Sequence, residues 1–201
     1  MALCELLKQD GAKLIVTDIS ETNLQKAKAA LGDIEVVAPD DIFAVQADVF
    51  APCAMGGILN DETIDQLKVD IIAGAANNQL LQDHHDNMLM AKDILYVPDY
   101  VINSGGVICV GYEYFRKSNY NPQDFNIERG SMVAHVEGIA QAVTDILVNA
   151  QSRGKATGDT ADQLAEEKFL NGAALNDNRQ DDSNLESDSN FCSETGTRLV
   201  Q

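Results

Sequence analysis

GAKLIVTDIS, residues 11–20, is the stretch on which the fold turns. Its centre is a short apolar, β-branched run opened by a glycine and closed by an acid, the pattern of a buried strand. Upstream, Leu3, Leu6 and Leu7 recur at helical spacing, and Gly11 suits the left-handed position just past that helix. Downstream, Ser20 predicts an N-cap for a helix that runs through LQKAKAALG and stops at Gly32.

Outward from this unit the alternation repeats. Strands are predicted at 34–37, 47–50, 69–73 and 94–97, with a helical turn at 39–43 and helices at 62–67 and 80–91. Strands separated by short helices are the signature of a parallel sheet with helices on both faces. From 107 the strands stop: a helix is predicted at 107–117 and a long periodic stretch at 124–153. There Ile127, Val133, Val136, Ile139, Ala140, Val143, Ile146 and Leu147 fall at helical spacing. Thr160 with Gln163 reads as a capping box for the final helix. The expected organisation is a body over 1–172 and a polar, acidic, disordered tail over 173–201.

The 201 residues carry a formal charge of −18, with 45% hydrophobic and 23% charged residues. That composition is globular, and the charge repels phosphate backbones, which argues against a nucleic-acid partner. No apolar run is long enough to span a bilayer. MALCELLKQD lacks a basic leader region and carries Glu5 in a helical pattern, so a cytoplasmic location with reduced thiols is expected. Adjacent His84, His85 and Asp86 invite a metal reading. Neighbours on a helix diverge, however, and no third ligand is evident in the sequence, so no metal is expected. His135 is expected to be packed within its helix pattern.

In open α/β sheets, ligands bind beyond the carboxyl ends of the strands. Four such ends stand out: Thr17-Asp18-Ile19, Ala51-Pro52-Cys53-Ala54, residues 74–79 (GAANNQ) and residues 98–106 (PDYVINSGG). Each is rich in small or amide residues that let a flat ligand approach the backbone. An acid in the place of Asp18 accepts hydrogen bonds from adenosine ribose hydroxyls in a dinucleotide fold. No Lys or Arg follows it before Lys26, which favours NAD over NADP. The alternative is that Asp18 merely caps the next helix. Asn78 and Asn103 have a similar alternative as turn or cap residues, and Cys53 as a plain buried thiol.

GAKLIVTDI (11–19), DVFAPCAMGGILND (48–61), IIAGAANNQL (71–80), YVPDYVINSGGVI (96–108) and ADQLAEEK (161–168) together resemble the C-terminal half of the Glu/Leu/Phe/Val dehydrogenases, nearest the leucine-type enzymes. The resemblance implies a Rossmann-type doubly wound parallel sheet followed by C-terminal helices, and NAD as cofactor. It places Asp18 and Ile19 at the adenosine ribose, Cys53 and Ala54 along the cofactor cleft, and Ala75, Ala76 and Asn78 near the nicotinamide. Asn103 falls where nicotinamide meets substrate, with Gly105 and Gly106 permitting close approach. Val133 and Val136 are candidates for a substrate side-chain pocket. The implied substrates are a small L-amino acid and its 2-oxo acid, interconverted by oxidative deamination, and the intact family enzymes are implied to be homo-oligomers.

A dinucleotide fold starts with a strand and a GxGxxG loop before its first helix. Met1 stands at the start of that helix, so the fold is expected to be incomplete, lacking the first strand and the glycine loop. The family's catalytic lysine has no counterpart here, and no catalytic residue is assigned. The chain is therefore expected to be a fragment of an amino-acid dehydrogenase, or an inactive or regulatory product. With the central strand missing, the strands on either side are expected to form separate half-sheets.

Overall fold

The computed structural model describes residues 1–118 and 126–177. Residues 1–162 form one compact unit, and 163–201 a second, of which only a helical segment through 177 is described.

The first unit opens with α1 (Ala2–Gln9), β1 (Ile15–Val16), α2 (Glu21–Leu31) and β2 (Glu35–Val36). The stop and start signals act as read. Gly11 has φ +87°, beyond the reach of most side chains. The Ser20 hydroxyl accepts from the Asn23 N–H at 3.4 Å, and Gly32 ends α2 at φ +70°.

A 3₁₀ turn (Ile42–Ala44) leads to β3 (Val49–Phe50), α3 (Asp61–Gln66), β4 (Ile71–Ile72), α4 (His84–Ala91) and β5 (Leu95–Tyr96). Helix α3 carries a capping box: Asn60 accepts from Glu62 and Thr63 N–H, and the Asn60 N–H donates to Thr63 Oγ1 at 3.0 Å. Helix α4 begins at His84 rather than at 80, because Leu80 is held in a parallel bridge to Leu59.

All strand pairs are parallel, yet they form two sheets, β1–β2 and β3–β4–β5. Their burial differs sharply. Leu59, Ile64, Ile72, Leu89, Ile94 and Tyr96 form a closed core where α3 and α4 cover β3–β5. Around β1–β2 only Leu31 is fully buried, and Leu3 and Leu6 remain exposed. The hydrophobic driving force, which scales with apolar area removed from water, therefore lies mainly in the three-stranded half.

Beyond β5 come α5 (Asp99–Ile102), α6 (Gly105–Lys117) and α7 (Arg129–Arg153), with α7 packed on both α5 and α6. Helix α7 starts at Arg129, so Ile127 precedes it, and residues 119–125 lie outside the described ones. His135 is exposed rather than packed, with its ring edge-to-face against Tyr112 at 6.0 Å.

The last helix, α8 (Thr157–Asp177), begins before the expected capping box. Thr160 is buried inside it and bonds back to the Ala156 carbonyl at 2.9 Å, so it caps nothing. The true anchor is Asp86, which accepts from the Gly158 N–H at 2.7 Å and faces the Thr157 hydroxyl. Burial pushes the Asp86 carboxyl up from its ordinary range, against those bonds. Helix α8 runs five residues into the segment expected as tail; the remainder, 178–201, lies outside the described residues. Among the described residues no helix is long and apolar enough to cross a membrane, and Cys4, Cys53 and Cys109 are free thiols.

Candidate active site

The chain segments that leave β3, β4 and β5 at their carboxyl ends are bound to one another. The loop after β3 meets the loop after β4 through the Ala76 N–H on the Pro52 carbonyl at 2.9 Å and the Gly57 N–H on the Asn78 carbonyl at 2.7 Å. Gly74 makes this approach possible: a Cβ there would stand 2.1 Å from the Pro52 oxygen.

Two groups from the β5 side lock the β4 loop in place. Asp99, buried at the start of α5, accepts from the Gln79 N–H at 2.9 Å, the Asn78 N–H at 3.3 Å and the Tyr96 hydroxyl at 2.7 Å. Burial, reinforced by Asp99, pushes the Tyr96 phenol well above its usual range. Asn103 donates from Nδ2 to Asn77 Oδ1 at 2.6 Å and to the Ala75 carbonyl at 3.3 Å. Gln79 is wholly buried and ties its own loop together, with Nε2 on the Gly74 and Ala76 carbonyls at 2.9 and 3.0 Å.

Between these segments lies a cleft of about 480 Å³ lined by Asn77, Asn78, Asp99, Tyr100, Asn103, Ser104, Gly106 and Val107. Three carboxamide side chains in one cleft suit a planar ligand that itself offers amide donors and acceptors.

Asn78 and Asn103 thus line one cleft, and Ala75 joins them through its carbonyl. Asn78 sits at φ +51°, the left-handed turn conformation that asparagine tolerates. Its turn role and its place in the cleft therefore coincide. The Asn103 side chain does not cap α6; it reaches across to the β4 loop. Ala76 is buried beneath the cleft, while Cys53 and Ala54 are exposed on the β3 loop and do not line it. The Cys53 thiol is therefore not buried. Val136 packs toward Gly105, 3.7 Å from the position a Cβ would take there. Val133 is exposed, and neither valine lines the cleft.

Asp18 and Ile19 belong to the other half-sheet and are not among the lining residues. Asp18 accepts from the Ser20 N–H at 2.7 Å and from Asn23 Nδ2 at 3.1 Å; these bonds, the backbone one first, lower its carboxyl below the ordinary range. The cap of α2 is Ser20, which Asp18 holds in place; the two Asp18 bonds leave lone pairs of the carboxylate for further donors.

Asn77, Asp99 and Tyr100 were given no role from sequence. Asp99 carried a readable signal, an acid directly after the strand-ending Pro98. Tyr100 carried none, because its partner Asp162 lies 62 positions away; the hydroxyl donates to it at 2.9 Å.

Parallel sheets alternating with helices, with a cleft at the carboxyl ends of the strands, are the architecture of the Rossmann-type fold. The sequence matches the Glutamate/Leucine/Phenylalanine/Valine dehydrogenase family over residues 4–172, and the chain belongs to that family. It is 45% identical over 167 residues to leucine dehydrogenase of Thermoactinomyces intermedius, covering 83% of this chain and 43% of that protein. Against phenylalanine dehydrogenase of Caldalkalibacillus thermarum it is 39% identical over 178 residues, covering 87% and 45%. The crystal structure of L-tryptophan dehydrogenase from Nostoc punctiforme superposes with a TM-score of 0.74 at 39% identity, over 84% of this chain and 48% of that one. The chain thus spans about half the length of the relatives it matches.

Proposed function

We propose that this chain forms the NAD-binding half of an amino-acid dehydrogenase of the leucine type, which oxidises a small apolar L-amino acid to its 2-oxo acid and ammonia. The observation that carries this reading is the meeting of Asn77, Asn78 and Asn103 in one cleft at the ends of β4 and β5. The family membership supplies the reaction class.

When bound, NAD supplies the hydride acceptor. The chain's own residues bind and orient. Both Asn103 bonds use its nitrogen, so its carbonyl oxygen is the part available to accept from a carboxamide or an amino group. The Asn78 backbone, clamped by Asp99 and Gly57, fixes one wall. Val107 offers the apolar surface against which a ring can lie. In the β1–β2 half, Asp18 retains acceptor capacity for ribose hydroxyls, and the lack of a cation before Lys26 supports NAD over its 2′-phosphorylated form.

The cleft itself has no free acid or base. Asp99 is committed to three donors, and the Tyr100 proton is given to Asp162 while burial pushes that phenol up. The 201-residue chain is accordingly proposed to bind the cofactor without turning over substrate.

Titration of the purified chain with NAD under amide NMR tests both parts. Shifts at Asn77, Asn78 and Asn103, with no growth of reduced-nicotinamide absorbance on adding leucine, valine or phenylalanine, are expected. Undisturbed amides in the cleft would overturn the binding role. Turnover would overturn the absence of catalytic groups.

A further inference from the structure

A second constellation lies apart from the amide cleft, where α3 packs against α4. Asp61 is the first residue of α3; His84 and His85 are the first two of α4. The Nε2 atoms of His84 and His85 lie 3.8 and 3.6 Å from Asp61 Oδ1, and the ligand atoms of all three residues fall within 4.8 Å of one another. The divergence expected of adjacent helical residues is overcome at this helix start: the two rings stand 4.1 Å apart, tilted by 37°. The third ligand that the local sequence could not supply is delivered by tertiary packing, across 23 positions of chain.

The buried histidine points to a ligand. His85 is 1% exposed, yet its Nε2 has no hydrogen-bond partner. Its other nitrogen, Nδ1, lies 3.0 Å from the Gln82 carbonyl and 2.9 Å from the Gln82 N–H. Nδ1 therefore pairs with either Gln82 group: it accepts from the N–H in one tautomer and donates to the carbonyl in the other, and in the second Nε2 presents its lone pair toward Asp61. This is the arrangement in which a backbone carbonyl orients a metal-binding imidazole. With the proton on Nε2 instead, a buried N–H would face an oxygen too distant to bond well. A cation between them satisfies both groups.

We propose that Asp61, His84 and His85 form a binding site for a divalent transition metal, zinc by the chemistry of its two imidazoles and one carboxylate, with a water completing the shell. A tetrahedral zinc with bonds near 2.0 Å has ligand–ligand edges of about 3.3 Å. The Asp61 and His84 side chains are exposed and can swing inward, by a few tenths of an ångström along the contacts to Asp61 and more between the two rings, while His85 is the fixed point. The site ties α3 to α4 at one end; the Lys92–Asp65 ion pair, at 2.8 Å, ties them at the other. The net charge of −18 favours the approach of any cation.

The test is calorimetric titration of the full chain, thiols alkylated, with zinc and with cobalt, beside His84→Ala and Asp61→Asn and a His135→Ala control. One equivalent is expected to bind to the wild type and the control. Each ligand variant should weaken binding at least about tenfold. Affinity should fall in acid, where protons compete with the metal for the same lone pairs. Zinc should raise the melting temperature of the wild type but not of the ligand variants. Zinc-edge X-ray absorption of the loaded wild type should count two imidazoles and no sulfur, a readout independent of how the variants fold. Absence of a stoichiometric site at micromolar zinc, a shell without paired imidazoles, or binding that survives both substitutions would overturn the assignment.

Discussion

Asn103 Nδ2 lies 2.6 Å from Asn77 Oδ1, a side-chain bond that fastens the end of β5 to the end of β4 across 26 positions of sequence. It fixes which face of the Asn103 amide is turned to the cleft, and so couples the two residues in any ligand they share.

Loss of that bond should be felt in NAD affinity. Asn103→Ala is expected to weaken NAD binding about fivefold to tenfold, the worth of one or two neutral hydrogen bonds. Asn77→Ala should cost a similar amount by releasing Asn103, and the double variant should cost little more than either single one. Calorimetric titration of the three variants checks this; fully additive losses would mean the two amides act separately.

Asp99 holds the floor of the site through three donors, in a position 6% exposed. Asp99→Ala leaves the Gln79 N–H and the Tyr96 hydroxyl unpaired and buried. A loss of about 3 kcal/mol is expected from the penalty for each orphaned group, read as a shift of the urea midpoint with unchanged slope.

Two glycines should respond in opposite directions to the same substitution. At Gly74 a methyl group would meet the Pro52 backbone at 2.1 to 2.4 Å, so Gly74→Ala is expected to cost about 3 kcal/mol or to disorder the β3–β4 loop contact. Gly111 sits within α6 with nothing near its missing Cβ, so Gly111→Ala should stabilise by up to about 1 kcal/mol. Thermal melts of both variants decide the pair.

The Asp18 carboxyl should titrate below its ordinary value of 3.8, because the Ser20 N–H and the Asn23 amide favour its charged form. A depressed folded pKa means the contribution to stability is complete above 3.8 and is lost as pH falls through the lower folded value. Asn23→Ala should move the carboxyl part of the way back toward 3.8 in a carbon-detected NMR titration. An unmoved value would show that the backbone bond alone sets it.

Much of the scaffold is local physics and was legible. Ser20, Gly32 and the β-branched run at 15–17 act through near neighbours in sequence, so a single sequence carries their meaning. The start of α8 was misread because Thr160 has the right residue type for a cap but the wrong surroundings. The helix is anchored by Asp86, 71 or 72 positions earlier, and Thr160 is left inside it. The separation of β1–β2 from β3–β4–β5 was legible too, from the absence of a central strand in the pattern, and Leu3 and Leu6 stay exposed beside the smaller sheet.

By itself the sequence determined the alternation of strand and helix, the parallel pairing, and the residue types waiting at the strand ends. Those follow from periodicity and from steric and capping preferences that span a few residues. Tertiary structure alone decided which of those residues share a cleft: Asn77 with Asn103, Asp99 beneath Asn78, and Asp61 against two histidines. Bringing such groups within 4 Å is the result of burying Leu59, Ile72 and Leu89 in one core, and that burial depends on contacts between segments far apart in the chain.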